Sequence, residues 1–269
     1  VYVFNKAGSV MSVDTVLPIA AISVAANGCV AVMLEDGNTQ YIDMYDTAGD
    51  KAYRIKTNIS GNGIPMSISI SNDAVKLMVA YTDIENNDIS TSIAFYNFGE
   101  VGKNMSERLV GGFDQYDGML VPKVQFLTAD TAIAVATGKL SIYSITQYPK
   151  LMTDIVFDNE LHGIFYSSKY IGLIFPNHES GYPYRILVYD LKGNLTGTIP
   201  VATDYKKYCF VQDNVLMYDD NDVRMLDFSG AERFSYTFDT AIDSLVPVSG
   251  DDVYVYINSR KVQKIKLTE

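Results

Sequence analysis

Carboxylates, tyrosines and the two histidines are the side chains of this chain whose grouping points to chemistry. They gather in four polar stretches, at 82–91, 111–120, 176–185 and 218–224. The last stretch holds three aspartates within four positions, and hard cations such as calcium prefer several oxygen ligands. It therefore predicts a candidate metal site, with calcium as its cation, at Asp219, Asp220 and Asp222.

The stretch at 82–91 is also acidic, with Asp83, Glu85 and Asp88. It lacks the glycine and the terminal glutamate of an EF-hand loop. We interpret it as a solvated acidic loop.

Two stretches combine aromatic and polar side chains. Rings beside carboxylates can stack on and hydrogen-bond a sugar, or anchor a protein partner. The alternative is a connector whose aromatic residues pack on the fold. Histidine is also a good metal ligand, but the chain has only two histidines, so a site built from several of them is excluded. The candidate contact residues are Phe113, Asp114 and Tyr116 in the first stretch, and His178, Glu179, Tyr182 and Tyr184 in the second.

No catalytic residue is predicted. Cys29 and Cys209 lie among apolar residues, which indicates buried thiols without the electropositive surroundings that activate a nucleophile. A serine-histidine-aspartate arrangement would depend on one of only two histidines. Two carboxylates can cleave a glycosidic bond, but among 32 acidic residues the sequence selects no pair.

Composition bounds the partners. The net charge is −11, and no cluster of Lys and Arg forms a basic stripe, so nucleic acid and anionic membrane surfaces are not expected partners. Spanning a bilayer takes about 18 or more consecutive apolar residues. The chain has no such run, so this segment is not expected to insert into a membrane.

One pattern recurs along the chain: alternating apolar residues, an aromatic residue, Asp or Asn, two residues, and Gly. It reads VYVFNKAG from Val1, IDMYDTAG from Ile42 and ILVYDLKG from Ile186, with the variant VRMLDFSG from Val223. Weaker copies begin at Ile93, Leu140 and Val262, and the intervals between copies run from 37 to 51 residues. Alternation predicts a strand with one buried face, and Asp followed by Gly supplies turn chemistry. The pattern therefore predicts a hairpin.

A second type of hairpin, two apolar runs around a short polar turn, lies between these copies, as in SISISNDAVKLMVAY from Ser67. Together the two types predict four-stranded antiparallel blades, and a period of 40–50 residues is typical of a β-propeller. A β-sandwich would not explain the fourfold strand cycle. We predict one all-β propeller domain over 1–269, with complete blades at about 17–57, 64–110, 120–158, 161–203 and 206–240 and partial blades at 1–16 and 243–269.

The partial blades leave the number of blades open. The chain begins and ends at the third strand of a blade. We prefer seven blades with an N-terminal portion missing, and six is the alternative. Because the chain begins at Val1 within a predicted strand, an upstream signal or anchor is expected to have been removed.

Two stretches carry a resemblance to known blades. SISNDAVKLMVAYTD from Ser69 is similar to the Ser-Pro-Asp-Gly hairpin of bacterial propellers in the WD-like and quinoprotein-like superfamily, with Asn72 and Ala74 in place of Pro and Gly. ILVYDLKGN from Ile186 resembles their outer hairpin. The chain has no Trp and lacks the Gly-His and Trp-Asp pairs of classical WD repeats. Functional residues of known propeller families therefore cannot be assigned to positions of this sequence.

More narrowly, the whole chain resembles an uncharacterised propeller family of Gram-positive gut bacteria, anchored outside the cell by one N-terminal transmembrane helix. This resemblance implies an extracellular, cell-surface location and no activity. We predict a noncatalytic binding or scaffold module whose loop face, formed by the connections between blades and between the second and third strands, meets a protein or glycan. The alternative is a propeller hydrolase or lyase acting on carbohydrate.

Overall fold

The computed structural model describes residues 1–5, 8–85, 88–158, 160–177, 181–248 and 252–267, without the side chains of 58–60 and 85. The chain divides into two compact units, Val1–Asp158 and Asn159–Glu269. Both consist of antiparallel sheets. Among the described residues, the only helical turns are α1 (Ile59–Asn62) and a 3-10 turn at Ser106–Arg108, both in the first unit. No described helix has the length and apolar character needed to cross a membrane.

The first unit contains one hairpin and three four-stranded sheets, each in the strand order of the chain or its reverse. The hairpin comprises β1 (Tyr2–Asn5) and β2 (Gly8–Ser12). The first sheet comprises β3 (Ile19–Val24), β4 (Val30–Asp36), β5 (Thr39–Tyr45) and β6 (Lys51–Asn58). The second comprises β7 (Ile64–Ile70), β8 (Lys76–Glu85), β9 (Asp88–Asn97) and β10 (Leu109–Asp117). The third comprises β11 (Lys123–Phe126), β12 (Thr131–Ala136), β13 (Lys139–Ser144) and β14 (Lys150–Val156).

The second unit contains two four-stranded sheets and one sheet of three strands. The fourth sheet of the chain comprises β15 (Gly163–Tyr166), β16 (Tyr170–Pro176), β17 (Tyr184–Asp190) and β18 (Leu195–Val201). The fifth comprises β19 (Lys207–Val211), β20 (Asn214–Tyr218), β21 (Asp222–Asp227) and β22 (Glu232–Thr237). The three-stranded sheet comprises β23 (Ser244–Pro247), β24 (Val253–Ile257) and β25 (Val262–Lys266). The predicted all-β fold of four-stranded antiparallel sheets is confirmed.

The recurring Asp and Gly form the turns that the sequence predicts. The Asp190 carboxylate accepts hydrogen bonds from the backbone N–H groups of Lys192 at 2.8 Å and Asn194 at 2.9 Å. Gly193 has a φ of 85°, a conformation that costs glycine little. The register shifts by one residue at Tyr189, so a bulge lies where the repeat places its aromatic residue. Asp46 and Asp227 make the same pair of backbone contacts.

Apolar contacts and buried serines join neighbouring sheets in the first unit. The rings of Phe95 on β9 and Tyr143 on β13 lie 5.3 Å apart, within a cluster shared by the second and third sheets. Ser67 and Ser69 on β7 accept hydrogen bonds from the backbone N–H groups of Val124 at 3.1 Å and Phe126 at 2.8 Å on β11. These bonds satisfy amides that the core would otherwise leave unpaired.

Two predicted loops prove to be strands. In the stretch at 82–91, β8 extends to Glu85 and β9 begins at Asp88, so most of the stretch belongs to a paired hairpin. In the stretch at 111–120, residues up to Asp117 lie on β10, which extends the second sheet beyond the predicted end at 110. The glycines and carboxylates suggested a connection. The strand forms nevertheless, because Val110, Phe113 and Tyr116 pack against the core.

Gly172 on β16 illustrates how closely a strand pair can be packed. It lies opposite Phe165, and a Cβ atom added at Gly172 would overlap the phenylalanine ring. Because this ring belongs to the core, we expect Gly172→Ala to lower the free energy of unfolding by about 1–3 kcal/mol. Urea unfolding measures the change. Gly61→Ala, where an added Cβ meets nothing within 4 Å, is the control. Equal stability of the two variants would contradict the packing argument.

Candidate functional site

A polar cleft of about 610 Å³ lies in the second unit, between the segment after β18 and the hairpin of β21 and β22. We call it the Arg224 cleft. Its lining residues are Ala202, Thr203 and Tyr205 from the segment after β18, Asp219, Asp222, Val223 and Arg224 from the β20–β21 turn and β21, and Ser235, Tyr236 and Thr237 from β22.

The polar side chains of β21 and β22 reach this cleft because alternate residues of a strand lie on the same face. Arg224 lies opposite Ser235, and Asp222 lies opposite Thr237. Since side chains two positions apart share a face, these four project from the same side of the hairpin. The other side of the hairpin carries Phe234 and Phe238, with Tyr236 packed 4.8 Å from the Phe238 ring.

Hydrogen bonds hold the charged groups of the cleft in place. Arg224 Nε lies 3.0 Å from the Glu232 carboxylate. Asp222 Oδ1 accepts a hydrogen bond from Thr237 Oγ1 at 2.6 Å. Asp219 Oδ1 accepts the backbone N–H of Asp222 at 3.2 Å. A guanidinium has five donors and a carboxylate about four acceptor positions, so these contacts use only part of the capacity of each group.

Tyr205 adds a buried hydroxyl-bearing ring to the wall. It is 6% exposed. Burial raises the pKa of the Tyr205 hydroxyl; Arg224 opposes this shift, and Asp219, Asp222 and Glu232 reinforce it. Tyr205 is therefore a neutral phenol at physiological pH, able to donate a proton in a hydrogen bond.

A small pocket of about 130 Å³ adjoins the cleft and shares Ala202, Tyr205 and Arg224 with it. Tyr182, one of the predicted contact residues, lines this pocket and is 45% exposed. The structure therefore brings Tyr182 to the same region as Asp219 and Asp222, although the sequence placed them in separate stretches. It adds Arg224, which lines both the cleft and the adjoining pocket.

The three aspartates of the predicted metal site have separate partners. Asp219 binds backbone amides of its own turn, and Asp222 binds Thr237. Asp220 pairs with the Lys206 ammonium group. Among the residues that the structure describes, no group of three or more His, Cys, Asp or Glu side chains is placed to hold a metal ion. The three carboxylates are neighbours in the sequence, but in the described structure they do not converge on one metal-binding position.

Tyr184 takes part in a cluster of its own. Its ring lies 4.5 Å from the His162 ring, and its hydroxyl donates to Asp204 Oδ2 at 3.4 Å. His162 Nε2 lies 3.0 Å from the other carboxylate oxygen of Asp204. The remaining two predicted residues of this stretch, His178 and Glu179, lie outside the described residues.

In the first unit, two of the three predicted contact residues on β10 belong to the core. Tyr116 is fully buried, and its hydroxyl shares a 2.5 Å hydrogen bond with that of Tyr143. The Lys139 ammonium lies 4.5 Å above its ring. Phe113 is half-buried, 4.8 Å from Tyr143. Tyr116 therefore has a packing role in place of the predicted contact role.

Asp114 remains at the surface. The register of β10 against β9 shifts between Phe113 and Tyr116, which places Asp114 and Gln115 in a bulge. Bulges redirect side chains and recur beside functional sites. Here the bulge lines a groove of about 490 Å³ that unites the stretches 82–91 and 111–120. Its lining residues are Gly61, Asn62, Tyr81, Asp83, Ser90, Thr91, Ser92, Asp114, Gln115 and Asp117.

Neither cysteine forms a disulfide bond. Both are free and half-buried. Burial raises the pKa of the Cys209 thiol to about 11. Since the thiolate is the nucleophile, this shift disfavours nucleophilic chemistry at Cys209 near neutral pH.

The sequence analysis missed Arg224, the residue that links the cleft to its adjoining pocket. It occupies the second position of the repeat, VRMLDFSG, between two apolar residues. The same position holds Asp43 and Ser141 in other copies, where Arg54 and Asp154 respectively bind them. A polar residue at the second position of the repeat, where apolar residues surround it, could therefore have indicated Arg224 from the sequence.

Comparison with known proteins identifies the fold. No curated protein matches the chain. Hsv2 from Kluyveromyces lactis is similar in structure, with a TM-score of 0.58, 10% identity, and coverage of 93% of this chain and 73% of Hsv2. Sqt1 from Chaetomium thermophilum gives a TM-score of 0.60 at 9% identity, covering 89% of this chain and 66% of Sqt1. BamB from Moraxella catarrhalis gives 0.51 at 13% identity, covering 98% of this chain and 79% of BamB.

These similar structures are β-propellers, so the predicted propeller fold is confirmed, while the number of blades stays a prediction. At such low identity the likeness concerns the fold alone. The amino-acid pattern of one family covers nearly the whole sequence, at residues 1–267, and the chain therefore belongs to DUF5711, a family of unknown function.

Proposed function

We propose that this chain is a noncatalytic binding module that takes a glycan in the Arg224 cleft. The observation that carries the proposal is the convergence of a guanidinium, two carboxylates and several hydroxyl groups on one open volume of about 610 Å³. Ligand sites are concave and contain a few placed polar groups that fix orientation.

Sugar hydroxyl groups both donate and accept hydrogen bonds, and the cleft offers both kinds of partner. Asp219 and Asp222 supply acceptors, and Arg224 supplies donors. The hydroxyls of Ser235 and Thr237 donate to Glu232 and Asp222 and keep lone pairs that can accept from a sugar. The exposed ring of Tyr182 in the adjoining pocket supplies an apolar face on which a sugar ring can stack.

The arrangement of the carboxylates favours binding over cleavage. Glycoside hydrolysis uses two carboxyl groups that flank the scissile bond. Asp219 and Asp222 instead end one tight turn, joined by a backbone hydrogen bond of 3.1 Å. The carboxylate of Glu232 is paired with Arg224.

We further propose that the module works at the surface of a bacterial cell, where glycans of the cell wall or of the surroundings are accessible. The resemblance to membrane-anchored propellers supports this location. Digestion of intact cells with an added protease is the test. Loss of the protein from intact cells is expected, and protection until the cells are lysed would contradict the proposal.

A thermal-shift screen against cell-wall and dietary glycans tests the proposed binding. A glycan at 100 times its Kd should stabilise the fold by about 2.7 kcal/mol. We expect Arg224→Gln and Tyr182→Ala each to weaken binding by about tenfold or more, since central Arg and Tyr residues dominate many interfaces. Calorimetry with the best glycan measures the change.

Tyr148→Ala is the matched control, because Tyr148 is 50% exposed and lies in the other unit. Binding by this variant should equal that of the unmodified protein. An equal loss of glycan affinity in Tyr148→Ala would show that the glycan does not bind in the Arg224 cleft. The absence of a thermal shift with every glycan tested would contradict the glycan proposal. Release of shortened glycan products would show an enzyme instead.

A further inference from the structure

The buried tyrosine of the Arg224 cleft has a hydroxyl group without a partner. Tyr205 is 6% exposed and lines both the cleft and its adjoining pocket. Its backbone N–H donates to the Tyr208 hydroxyl at 3.1 Å, but its own hydroxyl forms no hydrogen bond with any residue that the structure describes. A buried polar group without a partner costs free energy. The Tyr205 hydroxyl is therefore open to a hydrogen bond with a polar ligand in the cleft.

Negative charge predominates around this hydroxyl. Burial raises the pKa of Tyr205, and Arg224 opposes the shift, whereas Asp219, Asp222 and Glu232 reinforce it, so these four charged groups lie around the hydroxyl. The Arg224 guanidinium is paired with Glu232 at 3.0 Å. Asp219 and Asp222 form no ion pair within the described part of the chain. Three carboxylates against one guanidinium leave an excess of negative charge, and such a cleft attracts a cationic ligand.

The hydroxyl groups of β22 in the cleft offer acceptors to a ligand. Ser235 Oγ donates to Glu232 Oε1 at 3.0 Å, and Thr237 Oγ1 donates to Asp222 Oδ1 at 2.6 Å. Because each hydroxyl has a single proton, both retain only lone pairs for a further hydrogen bond. The carboxylates are acceptors as well. A ligand that brings several hydrogen-bond donors therefore fits this wall of the cleft.

We propose that the glycan bound in the Arg224 cleft carries free amino groups, as a chain of glucosamine units without N-acetyl groups does. This inference rests on the proposed function and adds the class of sugar. An ammonium group has three N–H donors and a positive charge, and it binds beside Asp219 and Asp222 in charge-assisted hydrogen bonds. The Tyr205 hydroxyl and the Arg224 guanidinium hydrogen-bond the neighbouring hydroxyl groups of the sugar.

Other ligands match the cleft less well. An N-acetylated sugar has one N–H donor in place of three, carries no charge and adds a carbonyl acceptor to a wall of acceptors. A uronic acid would add a carboxylate where carboxylates already outnumber the guanidinium. A basic peptide supplies the charge, but a lysine side chain has donors only and leaves the donors of Tyr205 and Arg224 without an acceptor. An amino sugar provides both the charge and the acceptors.

Three tetrasaccharides that differ in one substituent test the inference. They are linear tetramers of glucosamine, of N-acetylglucosamine and of glucose with the same β-linkage, so that an ammonium, an acetamide or a hydroxyl group occupies the same ring position. Calorimetry at about pH 6 keeps the carboxylates ionised and the amino groups protonated. We expect the glucosamine tetramer to bind about tenfold or more tightly than the other two. Added salt should weaken its binding, because salt screens the attraction between charges.

Asp222→Asn provides the charge test, because the amide keeps an oxygen for the Thr237 hydroxyl and removes the charge. We expect this variant to bind the glucosamine tetramer about tenfold more weakly. Asp220→Asn is the matched control. It makes the same change in net charge within the same turn, but Asp220 pairs with Lys206 and is not among the residues that line the cleft. It should bind the tetramer as the unmodified protein does, and thermal unfolding without ligand checks that both variants fold.

The outcomes separate this inference from the proposed function. If the N-acetylglucosamine or glucose tetramer binds as tightly as the glucosamine tetramer, and Arg224→Gln weakens that binding, the amino-sugar inference is wrong and the glycan-binding function stands. Equal losses in Asp222→Asn and Asp220→Asn would also overturn the inference, since net charge alone would then explain the binding. Binding of tetralysine as tight as that of the glucosamine tetramer would assign the cleft to basic peptides. The absence of binding by every glycan tested would overturn both the inference and the proposed function.

Discussion

Replacing Arg54 with Met should lower the free energy of unfolding by about 2–4 kcal/mol, because it removes the main counter-charge of a buried carboxylate. Asp43 on β5 is 1% exposed in its side chain. Arg54 on β6 binds both of its oxygens, with Nε 2.6 Å from Oδ1 and Nη2 2.7 Å from Oδ2. The Arg54 side chain is 41% exposed, so solvent screens part of the interaction, and we place the effect below that of a fully buried pair.

The pH dependence has a definite sign. Burial alone would raise the pKa of Asp43, but the hydrogen bonds and charge of Arg54, with Lys51 and Tyr45, outweigh it and hold the pKa below the ordinary value of 3.8. A carboxyl whose pKa is lower in the folded state stabilises the fold above its unfolded pKa. This stabilisation is complete above pH 3.8 and is lost as pH falls through the folded pKa. The difference between wild type and Arg54→Met should therefore shrink below pH 3.8.

Urea unfolding at neutral and acidic pH measures both effects. Arg233→Met is the control, because the pair of Arg233 and Asp227 is more exposed, with 53% of the Arg233 side chain accessible. Exposed ion pairs contribute about 0–1 kcal/mol. Equal losses in the two variants, or a loss in Arg54→Met that is independent of pH, would contradict this account of Asp43.

Phe95→Ala should cost about 3–5 kcal/mol, the range for removing a buried aromatic ring. Phe95 has no exposed surface and packs against the rings of Phe113 at 6.1 Å and Tyr143 at 5.3 Å. The alanine would leave a cavity in the cluster where the second and third sheets pack together, and the contacts of the ring would be lost. Urea unfolding of the single variant measures the loss.

Phe113→Ala provides the contrast and tests the reassignment of Phe113 from contact residue to packing residue. Phe113 is half-buried in the same cluster. We expect a loss of about 1–2 kcal/mol, since part of the ring is already exposed to water. An unchanged stability of Phe113→Ala would support the original prediction that Phe113 is a contact residue. A loss below about 1 kcal/mol in Phe95→Ala would contradict the stabilising role of the cluster around Phe95.

Much of the fold follows from the sequence because its signals are local. The recurring Asp and Gly act within one turn: the Asp190 carboxylate binds amides two and four residues ahead, and Gly193 supplies the positive φ. Apolar alternation likewise needs only neighbouring residues to define a strand and its buried face. Such a pattern can be read without knowledge of what packs against the strand.

The site depended on contacts between residues far apart in the sequence. Nothing local distinguishes the buried Tyr116 from the exposed Tyr182, because burial is decided by the sheet that packs against each strand. The bulge at Asp114 arises from the pairing of β10 with β9, which also turned a predicted loop into a strand. Three neighbouring aspartates suggested one cation site, but Lys206 and Thr237 bind two of them separately.

The sequence by itself determined the repeat, the hairpin turns and the four-stranded sheets, since each follows from the order of residues within a few positions. Only the tertiary structure decided which polar side chains meet. Arg224 lines one cleft with Asp219 and Asp222, and it lines the adjoining pocket with Tyr182, because the fold brings their strands and turns together.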